Sequence, residues 1–277
     1  QSSAAPILLR YTPPEGSQWV YEEESFREEE QRFLDEEGSS TTITAVIRAL
    51  HRYHVLRSTD TLLISRQPDS VAFSLSFDAS TLIDTVFVPL PSGITTVYTM
   101  SPSGRFLSKT EEVHDSSTAR RLNAANDYGY LSHMWSAAPP LFALLPDTPV
   151  RVGQQWNVER RDTVSAHSRQ LGRYYICYAL FTNTLEALVD TLGRRCARIR
   201  ITVDSLSWYR INKQEGLGIV TLEGTAQESA IAYLELDTGM PLVMRRRFQE
   251  EATFSIAEPV GLVGSISISA TLSIRRR

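Results

Sequence analysis

The sequence predicts an all-β protein: two pseudo-repeats of long antiparallel strands forming a barrel or half-barrel, with one helical connector between them. Three observations lead there. The stretch Gly16-Ser17-Gln18-Trp19-Val20-Tyr21-Glu22 returns 137 residues later as Gly153-Gln154-Gln155-Trp156-Asn157-Val158-Glu159, with glycine, glutamine, tryptophan and glutamate at the same offsets. Tyr98 stands six residues before Gly104 as Tyr233 stands six before Gly239, an offset of 135. Two landmarks in one order with nearly one period indicate internal duplication. The third observation is alternation, cleanest near the C-terminal end. There Ile266, Ile268, Ala270, Leu272 and Ile274 share one face, and Ser265, Ser267, Ser269, Thr271 and Ser273 the other.

Taken in order, residues 1–6 read as a flexible lead-in, 7–115 as the first β repeat, 116–146 as the helical connector and 147–277 as the second β repeat. A short strand at 7–11 is broken by Pro13-Pro14, and Gly16 opens the first tryptophan strand, on which Trp19 and Tyr21 share a face. Ten acidic residues lie between Glu15 and Glu37. Consecutive carboxylates on a strand point to opposite faces, and no glycine-centred calcium loop is present. The stretch therefore reads as a solvated, twisted strand pair or a short helical turn. Gly38-Ser39-Ser40 marks a turn, and 41–56 is rich in β-branched residues. His51 and His54 fall within it, three apart and so on opposite faces of a strand, which argues against a shared metal.

Residues 71–77 alternate as a half-buried strand, and 85–88 and 95–100 are shorter candidates. Ser101-Pro102-Ser103-Gly104 turns the chain into 106–110. From Ser117 to about Ala137 the alternation stops. Ala119, Leu122, Ala125, Gly129 and the Leu131/Met134/Trp135 group fall roughly on one helical face, with Ser117 as a cap and Pro139-Pro140 as a stop. The second repeat carries an aromatic strand at 173–181, an alternation of apolar and basic residues at 197–203, and strands at 216–222 and 230–236. Asp237-Thr238-Gly239 then turns the chain into 242–248.

The totals narrow the functional classes. With 42% hydrophobic and 22% charged residues in 277, the chain can bury a core. A net charge of −4 gives no electrostatic reason to expect nucleic acid. The charge is uneven: residues 1–137 carry net −7 and 138–277 net +3, so the halves present solvated faces of opposite sign or faces that attract a partner. Arginine outnumbers lysine 26 to 2. Cys177 and Cys196 belong to no CxxC pair, and no zinc or thiol-redox motif is present. In an oxidising compartment they could bridge, but a hairpin turning near 190–193 would keep them apart. No apolar run reaches transmembrane length, and the strands carry too many charges on both faces for a lipid-facing wall. The opening Gln1-Ser2-Ser3-Ala4-Ala5-Pro6 reads as a mature N-terminus left after signal-peptide removal, with a lipid anchor upstream of Gln1 as a further expectation.

No GxSxG elbow, Walker loop, GxGxxG or HExxH occurs. The five histidines His51, His54, His114, His133 and His167 are scattered, so no catalytic residue, cofactor or metal is expected. The remaining signal is aromatic. Trp19 and Trp156, with Tyr98 and Tyr233, occupy corresponding places in the two repeats. They either anchor each repeat's core or line a cavity between curved sheets that holds an apolar or glycan ligand. Tyr128, Tyr130 and Trp135, on the helical segment, either cross its mouth or belong to a plain connector.

The segment 145–156, Leu-Pro-Asp-Thr-Pro-Val-Arg-Val-Gly-Gln-Gln-Trp, resembles a signature of an uncharacterised family of secreted bacterial envelope lipoproteins. That family also has Gly-x-x-Trp strand openings, a central helical connector and a late Asp-x-x-Gly turn, here in the shorter form Asp237-Thr238-Gly239. The resemblance implies a bacterial cell-envelope location, periplasmic or outer-membrane-anchored, and an antiparallel β architecture. It implies no catalytic residues. The expected function is non-catalytic binding of a lipid or other apolar ligand in a β-lined concavity. The alternative is an interaction or scaffold subunit contacting an envelope protein partner through the acidic stretch or the arginine faces.

Overall fold

In the computed structural model, residues 5–34, 38–78, 80–87, 94–115, 142–165, 174–214, 218–257 and 261–277 are described. Among them there is no helix, and most of them lie in strands. These are β1 (Gln18–Phe33), β2 (Ser40–Ser58), β3 (Leu62–Phe77), β4 (Ser80–Phe87), β5 (Ile94–Met100), β6 (Phe106–Val113), β7 (Gln155–Ser165), β8 (Tyr174–Thr191), β9 (Arg194–Gln214), β10 (Gly218–Glu235), β11 (Pro241–Ile256) and β12 (Leu262–Arg276). Strands this long follow from period-two patterns sustained over many residues, with β3 and β10 running through Pro68 and Gly224 in their interiors.

All twelve strands join one antiparallel sheet in the order β6-β5-β3-β2-β1-β12-β11-β10-β9-β8-β7, with β4 pairing β3 off that path. The N-terminal half and the C-terminal half meet where β1 pairs β12, from Tyr21 opposite Arg276 to Phe33 opposite Gly264. β6 and β7 end that order. One face of the sheet is buried and the other is not. On β12 the alternation is nearly strict: Ile266, Ile268, Ala270, Leu272 and Ile274 are buried, as the sequence predicts. One apolar cluster draws Tyr21, Tyr53, Ile64 and Met100 from one half of the sheet together with Leu185, Ile199, Leu234, Met244 and Ile274 from the other. A single sheet whose strands share such a core must bend around its buried face, here called the inner face.

Two segments close that core at one end. Leu9 and Tyr11 lie in it, as do Ala143, Leu145 and Val150. An isolated antiparallel bridge, Ile7 to Val150, ties the segments together. The Tyr11 hydroxyl donates to the Ala143 carbonyl at 2.9 Å, and the Tyr11 ring meets Phe142 edge-on at 5.0 Å. Segment 7–12 also touches both hairpin turns: Tyr11 N–H donates to Pro102 O and Thr12 N–H to Thr238 O.

The repeated Gly-x-Gln-Trp segments have matching backbone geometry. Gly16 N–H donates to Val55 O while Val55 N–H donates to Ser17 O. Gly153 N–H donates to Leu185 O while Leu185 N–H donates to Gln154 O. Both glycines have φ above +80° or at it, +80° and +86°, where a Cβ would be strained. The second echo is looser. The hairpin at Gly104 closes from Ser101 to Arg105, whereas that at Gly239 closes from Glu235 to Met240, one residue longer. The extra residue shifts the facing of β10 relative to β5, so Tyr98 and Tyr233 point to opposite faces although their offsets match.

Several expectations change. The helical connector at 116–146 lies almost wholly outside the described residues. Residues 142–146, beyond the Pro139-Pro140 stop, are irregular, and Phe142, Ala143 and Leu145 pack in the apolar cluster. The acidic stretch is neither a wholly solvated face nor a helical turn. It runs along β1 with Glu22, Glu24 and Glu28 exposed, while Glu23 and Glu29 are buried on the inner face. β8 and β9 do form a hairpin turning at Leu192-Gly193; its register puts Cys196 opposite Val189 and Cys177 opposite Trp208. Cys196 is a free, buried thiol. His51 is buried and His54 lies on the other face of β2, as the strand spacing predicts.

Candidate binding site on the inner face

Backbone register places the inner-face side chains in rows across the sheet. One row runs Ser25, Leu272, Arg246, Ala230, Ile201, Asn183; the next Arg27, Ala270, Phe248, Glu228, Val203, Phe181; the next Glu29, Ile268, Glu250, Ala226, Leu206, Ala179. These three rows form a polar waist. Its first row merges into the closed apolar cluster through Leu272, Ala230 and Ile201, and its third row merges through Ile268 and Leu206 into a second cluster that includes Trp208, Ala252, Phe254 and Ile266, with Phe33, Leu222, Ile256 and Leu262 half-buried against it.

The waist is a set of ion pairs with one carboxyl left over. Arg27 pairs with Glu29 at 2.6 Å with both side chains about 6% exposed, and Gln31 donates to Glu29 at 2.6 Å. Arg246 donates to Glu228 at 2.7 Å. Glu250, only 2% exposed, faces Ile268 and beyond it Glu29. Burial pushes its carboxyl up to about 7; the Arg27 charge opposes that rise and the Glu29 charge adds to it. Small residues at Ser25, Ala45, Ala226, Ala230 and Ala270 leave room around these long side chains. Asn183 has a buried amide nitrogen that finds no partner among the described residues.

A second buried network sits towards the closed end. His51 Nε2 lies 2.8 Å from the Arg66 guanidinium and 3.4 Å from Glu23 Oε2, with all three side chains at most 5% exposed. Burial, with the Arg66 charge, holds the imidazole below its ordinary pKa. Burial alone would raise Glu23, but the His51 and Arg66 side chains beside it hold the carboxyl below its ordinary value. At the strand ends Glu235 takes Arg194, Arg276 and Thr238 as partners, which hold its carboxyl low against the opposing effect of burial. These arrangements resemble a nucleophile-and-base pair in composition only. No group of three or more metal-ligating side chains exists among the described residues.

Of the residues the sequence singles out, Trp19 and Trp156 are half-buried against the closed cluster and Tyr98 is inside it. Trp156 Nε1 donates to the Leu144 carbonyl at 3.0 Å, so this ring clamps the segment that closes the core. Tyr233 is on the outer face. Tyr128, Tyr130 and Trp135 lie outside the described residues. Sequence reasoning missed Arg27, Glu29, Glu250, Arg66 and Trp208. The available signal was parity: Glu23, Ser25, Arg27 and Glu29 share the face of Tyr21.

No family model matches the chain, and no curated protein matches it. Among solved structures, two mutants of the Rh. blastica porin align with 92% of this chain and 99% of theirs, at 6% and 7% identity and a TM-score of 0.24. A structure entitled "Asymmetric conductivity of engineered proteins" aligns over the same shares at 7% identity and the same TM-score. That score is too low to carry an argument. The faces themselves are informative: a membrane-spanning barrel turns an apolar band outward, whereas here the outer face exposes Glu22, Glu24, Glu28, Arg245, Arg247, Gln249 and Glu251. No helix among the described residues is long and apolar enough to cross a membrane.

Proposed function

We propose that this chain is a non-catalytic bacterial cell-envelope protein, a duplicated half-barrel that holds a lipid or other apolar ligand against its inner face. The ligand lies beyond the polar waist, on the second apolar cluster. One observation carries this reading. The closed cluster is crossed by segments 7–12 and 142–150, while every residue of the second cluster lies on the sheet itself, and no described segment crosses it. Its large side chains Phe33, Leu206, Leu222, Ile256 and Leu262 remain half-buried, as the lining of an apolar site would. The waist gives an amphipathic ligand a polar end to meet.

The test is titration with the apolar fluorophore N-phenyl-1-naphthylamine, followed by competition with fatty acids. Wild type is expected to bind the probe saturably. Ile268→Trp, which adds bulk at a buried position of the second cluster, is expected to weaken binding at least tenfold. Trp156→Ala, at the closed end, is expected to leave it within twofold. Equal binding by wild type and Ile268→Trp contradicts the reading.

A further inference from the structure

The outer face carries a charge arrangement that the apolar site does not use. Arg245, Arg247 and Arg275 project from neighbouring strands of this face, all exposed. Among the described residues none of the three makes an ion pair or a side-chain hydrogen bond, although like charges this close repel. The nearby acidic side chains Glu22 and Glu24 are occupied by Arg277 and Arg48, and Arg200 is held by Glu186. Glu28 marks the acidic side of the patch.

Arg247 lines a shallow groove of about 590 Å³, and Arg245 and Arg275 stand outside its lining on the same face, Arg275 opposite Glu22. Its floor follows two register rows. Phe26 and Arg247 both flank Thr271, and Arg247 in turn faces Ser229; Gln249 lies between Ser269 and Gln227. Phe26 is 41% exposed although it is a large aromatic on a polar face. Hydroxyl and amide side chains in rows suit the hydroxyls of a sugar, an exposed ring suits its apolar C–H face, and unpaired guanidinium groups suit carboxylate or sulfate bidentately.

We propose that this groove binds an anionic oligosaccharide, with Phe26 under a sugar ring and Arg245, Arg247 and Arg275 on its acidic groups. A membrane surface fits less well, because the groove is lined by neutral hydrogen-bonding side chains rather than by a protruding apolar rim. The proposal is independent of the inner-face ligand.

The experiment is binding of the full chain to polygalacturonate, dextran sulfate, neutral dextran and phosphatidylglycerol vesicles at 50 and 300 mM salt, with N-phenyl-1-naphthylamine binding measured in parallel. Expected is binding to at least one of the two acidic polysaccharides and not to neutral dextran, weakening at the higher salt. The triple variant Arg245→Ser, Arg247→Ser, Arg275→Ser should lose at least tenfold. Phe26→Ala should lose affinity while keeping the salt dependence. All four substitutions are on the exposed face, and an unchanged thermal unfolding midpoint confirms folding. No binding to either acidic polysaccharide, equal binding to neutral dextran, binding to vesicles alone, or an unaffected triple variant overturns the proposal. Loss of probe binding in an otherwise unchanged polysaccharide assay bears on the inner-face site only.

Discussion

At the scale of single residues, the sharpest consequence belongs to Glu250. Its carboxyl is raised to about 7 in the fold from an ordinary value of 4.5, chiefly by burial. A raised carboxyl means that the folded chain keeps a proton the unfolded chain has already released. Stability is therefore lost as pH rises from about 4.5 to about 7, and stays lost above it. Two to three units correspond to about 3 kcal/mol. Glu250→Gln should match wild type in urea denaturation at pH 4 and exceed it by about 3 kcal/mol at pH 8. A pH-independent difference would place Glu250 in water. The glycines offer a second contrast. A Cβ at Gly104 would strike the Ala143 carbonyl and come within 2.8 Å of the Tyr11 ring, whereas at Gly16 it meets nothing within 4 Å. Gly16→Ala should cost only the positive-φ strain, roughly 1–2 kcal/mol. Gly104→Ala should cost clearly more, read as a larger fall in denaturation midpoint.

At the scale of elements, the tryptophan strands act as start signals whose rings pack against the closed cluster, that of Trp156 also holding the 142–150 segment through Leu144. Both rings are half-buried, so Trp19→Ala and Trp156→Ala should fall below the about 3–5 kcal/mol of a fully buried tryptophan. Trp156→Ala should be the costlier, since it also strips the Leu144 carbonyl of its donor; guanidinium titration of the pair checks the order. β12 was legible in the sequence because five core positions in a row are apolar and their alternates hydroxylated. β1 was not, because Glu22-Glu23-Glu24 looks the same whichever carboxylate faces inward. Only the register against β12 and β2 shows that Glu23 meets His51 and Arg66 while Glu24 meets solvent and Arg48. Arg66 was hidden likewise, in a stretch of β3 interrupted by Pro68 and without clean alternation.

At the scale of the molecule, the recurring Gly-x-Gln-Trp segment was legible as a period but not as a topology. Nothing in the spacing of Gly16 and Gly153 says that β1 pairs β12 and so joins the two halves into one sheet. Nor could local pattern locate the waist, since Glu29 and Glu250 are 221 positions apart and become neighbours of Ile268 only through long-range pairing. Among the described residues the inner face carries two apolar clusters separated by charged side chains, the first crossed by segments 7–12 and 142–150, and the outer face is polar. The inner-face ligand is the central claim, and native mass spectrometry of the chain purified from its own host tests it most directly. The account predicts a bound apolar mass that survives desalting, is released on denaturation, and is missing from Ile268→Trp. A bare polypeptide mass for wild type, unchanged after incubation with excess fatty acid, would contradict it.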